Sequence, residues 1–225
     1  AGQPFYSTVV YSHHIRSGGY SANVGQTIEA LRYLMDHYAG HPNFLRIAGR
    51  PVIFFTDMPR VSGGLSFWSA VRAEVDPGHG YWWIAEGLDF SYLQVFDGIY
   101  VNKITHKTNP NSYTKNAGWA AQVRSWEGKV GATRLWVPTI MPGWDDLRSG
   151  CMGSVRAPAP YHRHERGDGA FYTATYDAAV ASGADILWLN SWNEWVEGTY
   201  VEPSAQYGDR YLNMTRDFAA RWKGQ

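Results

Sequence analysis

Residues 184–204 read ADILWLNSWNEWVEGTYVEPS, and the interpretation of the whole chain starts from this stretch. Its first six residues are mostly apolar and predict a buried parallel β-strand. A helical pattern that ends at Trp222 follows the stretch. The polar residues after position 189 therefore stand at the carboxyl end of a strand, which is where α/β folds place their chemistry.

The polar part of this stretch combines carboxylates with indole rings. Carboxylates transfer protons or stabilise a cationic transition state, and indole rings stack on the faces of sugars. A single Glu at a strand end would be an ordinary loop residue, but two Glu residues among two tryptophans favour a site. We interpret Glu194 and Glu197 as candidate catalytic residues, and Trp192, Asn193 and Trp195 as candidates for substrate binding.

Strand and helix patterns alternate along the rest of the chain. The predicted strands are Tyr6–Ser12, Pro51–Thr56, Tyr81–Ala85, Gly98–Asn102, Leu135–Ile140 and Ile186–Asn190. The predicted helices are Gly25–Tyr38, Phe67–Val75, Ser91–Phe96, Ala117–Glu127, Phe171–Ala181 and Tyr207–Trp222. About six βα units in series predict an α/β fold with a parallel sheet, either open and doubly wound or closed as a (β/α)8 barrel. No glycine-rich phosphate loop follows the first strand, which disfavours a dinucleotide-binding fold.

Composition narrows the function classes. A chain of 225 residues can form one large domain, so we expect a single domain over residues 1–225. The formal net charge of +0 gives no electrostatic reason to expect nucleic acid or an anionic membrane as a partner. No apolar run approaches the length of a membrane span. Aromatic residues make up 16% of the chain, which fits a core together with a glycan-binding cleft.

Other candidate residues follow the remaining predicted strands. Glu86 follows a strand that contains two tryptophans, so it is either an exposed loop residue or a general acid whose pKa is raised by apolar surroundings. Tyr11 and His13 lie at the carboxyl end of the first predicted strand and are expected to line the site. Trp144 is a candidate sugar platform, and Asp145 follows it. No Cys or His stands at a metal-ligand spacing from His13, so we expect no metal.

Four segments resemble glycoside hydrolase family 99, the group related to endo-α-mannosidase. They are residues 41–52 (HPNFLRIAGRPV), 96–100 (FDGIY), 137–146 with Val-Pro and Pro-Gly-Trp-Asp-Asp, and 191–203 (SWNEWVEGTYVEP). The resemblance implies a (β/α)8 barrel, an endo-acting glycosidase specific for mannose-type linkages, and no cofactor. It aligns the six predicted strands with the family's third to eighth strands. The barrel is then incomplete, with its missing wall left open or supplied by another chain or by a missing N-terminal segment.

One segment departs from the family pattern. Catalytic carboxylates of the family follow its third strand in a segment of the type His-Ile-Glu-Pro-Tyr, whereas residues 11–15 of this chain are Tyr-Ser-His-His-Ile. The resemblance therefore carries over Asn193, Glu194 and Glu197 of the last-strand motif. It also carries over Trp144, Asp145 and the two loop tryptophans, Trp192 and Trp195, as site-lining positions.

The sequence thus predicts a glycoside hydrolase-like domain that cleaves an α-linked, mannose-type polysaccharide. Its catalysis would rest on Glu194, Glu197 or Glu86. Three alternatives remain open: a non-catalytic glycan-binding domain on a degenerate barrel, an accessory domain of polysaccharide biosynthesis, and a metal-dependent hydrolase that uses His13 and His14.

Overall fold

The computed structural model describes residues 5–12, 23–56, 63–105, 112–145 and 163–224. They belong to two units, one made of residues 1–100 and 122–135 and the other of residues 101–121 and 136–225. The single domain predicted over residues 1–225 stays a prediction.

The described residues contain ten strands, five α-helices and three short 3₁₀ segments. The strands are β1 (Val9–Ser12), β2 (Arg46–Ile47), β3 (Arg50–Thr56), β4 (Trp82–Glu86), β5 (Gly98–Tyr100), β6 (Leu135–Val137), β7 (Thr139–Ile140), β8 (Trp144–Asp145), β9 (Arg163–His164) and β10 (Trp188–Leu189). The helices are α1 (Val24–His37), α2 (Gly64–Val75), α3 (Asn116–Val130), α4 (Ala170–Ala181) and α5 (Arg210–Trp222). The 3₁₀ segments are Phe90–Gln94, Ser112–Lys115 and Gly167–Gly169.

Strands β1, β3, β4 and β5 form a parallel sheet in the first unit, in that spatial order. Val9 pairs with Ile53, and Phe54 pairs with Ile84. The interior residues of β3 and β4 are buried along their whole length, as expected for strands covered on both faces. The sheet confirms the first four predicted strands, with ends that shift by up to three residues.

Local signals fixed two of the boundaries in this unit. Asn23 caps α1 by accepting a hydrogen bond from the Gln26 amide at 2.9 Å, while the Gln26 side chain accepts from the Asn23 amide. Ala48 and Gly49 both have positive φ, at 48° and 79°, and they join β2 to β3 as a tight antiparallel hairpin. These contacts explain where α1 begins and how the chain turns from β2 into β3.

Asp97 anchors the first unit from within the family-like segment 96–100. The residue is 2% exposed, and its Oδ2 accepts hydrogen bonds from Arg72 Nη2 and from the Trp83 amide, each at 3.0 Å. Its Oδ1 lies 2.8 Å from His79 Nδ1. Three guanidinium groups lie within 4.0 Å of this carboxylate, those of Arg50, Arg72 and Arg134. Burial lowers the pKa of Arg72, and the charge of Asp97 opposes that shift.

Gly98 is required beside this anchor. A Cβ at Gly98 would lie 2.8 Å from the carbonyl oxygen of Leu135, and the Leu135 amide donates to the Asp97 carbonyl at 2.8 Å. A side chain would force these backbones apart. The Asp-Gly pair of this segment is therefore explained by packing and charge.

The second unit packs helices α4 and α5 beside the pair of parallel strands β7 and β10. Tyr176 stacks on Phe218 with 4.2 Å between the ring centroids, and the Tyr176 hydroxyl donates to the Phe218 carbonyl at 3.1 Å. Tyr172 is fully buried, and its hydroxyl lies 2.9 Å from Thr215 Oγ1. Burial raises the pKa of Tyr172 to about 12.

Three predictions about elements need correction. The stretch 184–189 was expected to be a buried strand, but only Trp188–Leu189 is a strand, and both residues are half-buried. It pairs in parallel with β7 and with no other strand of the described residues. Pro138 has no amide hydrogen and divides the predicted strand Leu135–Ile140 in two. The predicted helix Ser91–Phe96 is the 3₁₀ segment Phe90–Gln94.

A search of the described helices for a candidate membrane span found none with enough length and apolar character.

We expect Asp97→Asn to lower the free energy of unfolding by about 3–5 kcal/mol, because Arg50, Arg72 and Arg134 would lose the buried carboxylate they share, and Arg72 would keep only Asp76 as a counter-charge. Urea unfolding followed by circular dichroism measures the change. Asp36→Asn, at an exposed position of α1, is the matched control and should cost less than about 1 kcal/mol. Equal losses in the two variants would show that Asp97 is not an anchor.

Tyr172 makes the stability pH-dependent in the alkaline range. Its pKa is about 12 in the folded protein against 10.0 for an ordinary tyrosine, so its contribution is complete below pH 10 and is lost as the pH approaches 12. The free energy of unfolding should fall by about 1.4 kcal/mol from this group between pH 9 and pH 11. Tyr172→Phe should remove that part of the slope in urea titrations, whereas Tyr6→Phe, at a half-exposed position, should leave it in place.

Candidate functional site

The loop after β10 is closed at its base by hydrogen bonds between Ser191 and Thr199. The Ser191 amide donates to the Thr199 carbonyl at 3.0 Å, and their hydroxyl oxygens lie 2.8 Å apart. Ser191 Oγ also accepts from the Glu194 amide at 2.9 Å. The Asn190–Ser191 peptide bond is cis. These contacts define residues 191–199 as one closed loop, and we call it the WNEW loop.

The WNEW loop presents its indoles and one carboxylate to solvent. Trp192 is 50% exposed and Trp195 is 46% exposed, although tryptophan is usually well buried. Asn193 and Glu194 are exposed as well. The four residues predicted here for catalysis and binding are thus accessible to a ligand.

Trp195 is held in place although it is exposed. Its ring stacks on Tyr200 with 3.9 Å between centroids and an interplanar angle of 19°. Its Nε1 donates to Glu202 Oε2 at 2.8 Å. The indole therefore has a fixed orientation before any ligand binds. This reduces the side-chain entropy that is lost on binding.

Glu197 has a different environment from Glu194. Glu197 Oε1 lies 2.9 Å from Lys103 Nζ, and both side chains are partly buried. The Lys103 ammonium also lies 4.4 Å from the centre of the Trp144 ring, which is 4% exposed. Lys103 was not among the predicted site residues. Its position just after the fourth predicted strand was the only signal in the sequence.

Asp145 and Gly198 bring two segments of the site together. The Asp145 amide donates to the Glu197 carbonyl at 2.9 Å. Gly198 has φ +66°, and a Cβ there would lie 3.0 Å from the Asp145 amide nitrogen and 3.1 Å from its Cβ. Only glycine fits this position without displacing Asp145.

Arg166 is the second residue that the sequence did not reveal. It is 8% exposed, and its guanidinium lies 4.6, 4.5 and 4.3 Å from the ring centres of Tyr200, Tyr207 and Tyr211, respectively. Its Nη2 donates to the Gly198 carbonyl at 2.9 Å and to the Tyr200 carbonyl at 2.8 Å. Burial raises the pKa of Tyr211, and the charge of Arg166 opposes that shift. We call this arrangement the arginine cage.

A cavity of about 330 Å³ lies among these residues in the second unit. Its size is at the lower end of the range for ligand pockets. Three residues predicted for substrate binding line it together: Trp144, Asp145 and Trp195. The other lining residues are Arg163, His164, Glu165, Arg166, Val196, Gly198, Tyr200, Gln206 and Tyr207.

Two of the predicted site residues belong to the first unit, and a third is not described. Glu86 ends β4 in the first unit, where it is partly buried and accepts a hydrogen bond from the Thr56 hydroxyl, so its surroundings are not purely apolar. Tyr11 also lies in the first unit, is 8% exposed and packs against Phe55 and Trp68 as a core aromatic. His13 lies outside the described residues, as do His14 and Asp146. The roles predicted for Glu86, Tyr11 and His13 stay predictions.

Within the part of the chain that the structure describes, no group of three or more His, Cys, Asp or Glu side chains is placed to hold a metal ion.

A protein-family model described as glycosyl hydrolase family 99 matches residues 8–216. Glycoprotein endo-alpha-1,2-mannosidase of Rattus norvegicus is 26% identical over 190 residues, which make up 76% of this chain and 38% of that protein. An uncharacterized protein WxcX of Xanthomonas campestris pv. campestris is 31% identical over 116 residues, 50% of this chain and 16% of that protein. The chain thus spans well under half the length of these curated relatives.

Two solved structures of the family 99 endo-alpha-mannosidase from Bacteroides thetaiotaomicron share this fold. One has a TM-score of 0.72 and 24% identity and covers 91% of this chain and 68% of that chain. The other has a TM-score of 0.68 and 23% identity, with coverage of 91% and 63%. They confirm the predicted α/β fold of the (β/α)8-barrel type. The absence of the first two barrel strands stays a prediction.

We expect Gly198→Ala to destabilise the protein more than Gly183→Ala. Both glycines have positive φ, at +66° and +71°, so each alanine costs about 1–2 kcal/mol in backbone conformation. A Cβ at Gly183 meets no described atom within 4 Å, whereas one at Gly198 meets the Asp145 backbone and should cost ~1–3 kcal/mol more. Urea unfolding of both variants measures the difference. Equal losses would show that the loop yields without cost at Asp145.

Proposed function

Because the chain belongs to glycosyl hydrolase family 99, we propose that it hydrolyses an α-linked, mannose-type polysaccharide at internal linkages. Membership of this family gives it a glycosidase-like function and makes a glycan its binding partner. The choice of mannose follows the endo-alpha-mannosidases among its relatives. The observation that carries the proposal is the WNEW loop, where Glu194, Glu197 and two half-exposed indoles stand together.

The two carboxylates of the loop receive different roles. Glu197 forms an ion pair with Lys103 that orients its carboxylate, which suits a group that lies opposite a developing oxocarbenium ion. Glu194 is exposed, and none of the described residues is seen to pair with its carboxylate, which suits a group that exchanges protons with the leaving oxygen or with water.

Hydrolysis is balanced by these groups and water alone. The bond between the anomeric carbon and the glycosidic oxygen breaks, and the leaving oxygen takes a proton from the acid. Water supplies the hydroxyl that ends on the anomeric carbon, and its remaining proton goes to the deprotonated acid, which then acts as the base and is restored. No cofactor takes part in this scheme. Glu86 and His13 remain the alternatives for the second proton-transferring group.

Sugar rings would bind through aromatic faces and polar edges. Trp195 and Trp192 offer open indole surface, and the cavity beside Trp195 adds Asp145 as a hydrogen-bond acceptor for hydroxyl groups. Trp144 is buried beneath Lys103, so it offers little open indole surface to a sugar. Its ring instead supports the ion pair between Lys103 and Glu197.

We expect Glu194→Gln and Glu197→Gln each to lower kcat/KM on a cleaved α-mannan by about 10²–10⁴-fold, because each removes a reacting carboxylate without changing its shape. A panel of α-mannans digested with each protein and analysed by mass spectrometry measures the product ladder.

Glu74→Gln, on the exposed part of α2, is the matched control and should keep wild-type activity. Wild-type rates in Glu194→Gln would disprove its catalytic role. Binding of oligosaccharide by the wild-type protein without product from any substrate would instead identify a non-catalytic glycan-binding domain.

A further inference from the structure

We propose that Arg166 is a positioning residue that holds Trp195 as a sugar-stacking platform through the ring of Tyr200. The sugar as the ligand rests on the proposed function, whereas the positioning itself rests on contacts among the described residues. The family resemblance implies no role for Arg166.

The arginine cage fixes the backbone on both sides of Thr199. Nη2 of Arg166 donates to the carbonyl groups of Gly198 and Tyr200, which are the neighbours of Thr199 in the chain. Thr199 itself is fully buried and closes the WNEW loop against Ser191. The buried guanidinium of Arg166 therefore holds the C-terminal end of the WNEW loop in place.

The same cation fixes the ring that supports the platform. Tyr200 lies 4.6 Å from the guanidinium carbon of Arg166, and its ring stacks at 3.9 Å on Trp195. Tyr200 is 8% exposed, whereas Trp195 is 46% exposed. The stack thus leads from a buried cation to an indole that is open to solvent and lines the cavity.

The residue type matters at this position. The Arg166 guanidinium contacts three ring faces and two carbonyl oxygens, and it makes no ion pair with a described carboxylate. A planar guanidinium can lie against rings and donate to two carbonyls at once, whereas a lysine ammonium cannot keep both sets of contacts in this geometry. Gly143 provides the room, because a Cβ there would lie 2.5 Å from Arg166 Cγ.

A double-mutant cycle tests whether Arg166 acts through Trp195. We expect Arg166→Lys and Trp195→Ala each to weaken binding of an α-linked manno-oligosaccharide by about tenfold, measured by titration calorimetry. In the Trp195→Ala background, Arg166→Lys should have almost no further effect, which corresponds to a coupling of about tenfold. Arg216→Lys, at an exposed position of α5, is the matched control and should leave binding unchanged.

Additivity in the cycle would overturn the proposal, because it would make Arg166 a purely structural residue. An unchanged affinity in Arg166→Lys would overturn it as well. If Arg166→Lys does not fold, Tyr200→Leu replaces it in the cycle, since this change removes the stacked ring and keeps the cation.

A second measurement needs no ligand and separates this proposal from the proposed function. The fluorescence of Trp195 is obtained as the difference between the wild-type protein and Trp195→Phe, and again in the Arg166→Lys background. We expect acrylamide to quench this difference signal more strongly when Arg166 is replaced. If the wild-type protein binds no manno-oligosaccharide, the proposed function fails. The quenching result then decides the positioning role by itself. Unchanged quenching in the Arg166→Lys background would overturn the positioning role of Arg166.

Discussion

The hydrogen bond from the Asp145 amide to the Glu197 carbonyl is the contact on which the candidate site depends. It joins the end of β8 to the WNEW loop at 2.9 Å, and it is possible because Gly198 has no side chain to push Asp145 away. The Trp-Asp pair at 144–145 and the Glu-Gly pair at 197–198 are therefore two halves of one contact. Their joint presence in the sequence has a physical cause, since neither half forms the cavity without the other.

Each unit also buries a cation, and the two cations are compensated in different ways. Arg72 is matched by the carboxylates of Asp97 and Asp76, so its desolvation is offset by charge, and removal of Asp97 leaves it with one counter-charge instead of two. Arg166 is matched by aromatic faces and carbonyl oxygens, which need no counter-ion. The first arrangement fixes a core. The second fixes a loop next to a cavity, where a carboxylate would compete for the polar groups of a ligand.

The sequence predicted the elements that depend on local signals. Hydrophobic runs located the strands of the first unit, and the helical pattern located α1 to within one residue at each end, because buried strands and amphipathic helices are properties of short segments. Burial of Trp188 was predicted wrongly, because apolarity alone does not report how many strands flank a residue. The ion pair of Lys103 with Glu197 was missed for a related reason. Its two members are 94 positions apart, and no periodicity links them.

The resulting site is asymmetric, and the asymmetry supports the proposed chemistry. Glycoside hydrolysis needs one carboxyl group that changes its protonation and a second that remains charged. Glu194 and Glu197 are three residues apart, yet one faces solvent and the other contacts the Lys103 ammonium. Among the described residues of the second unit, the WNEW loop is then the place where both roles can be filled by neighbouring side chains.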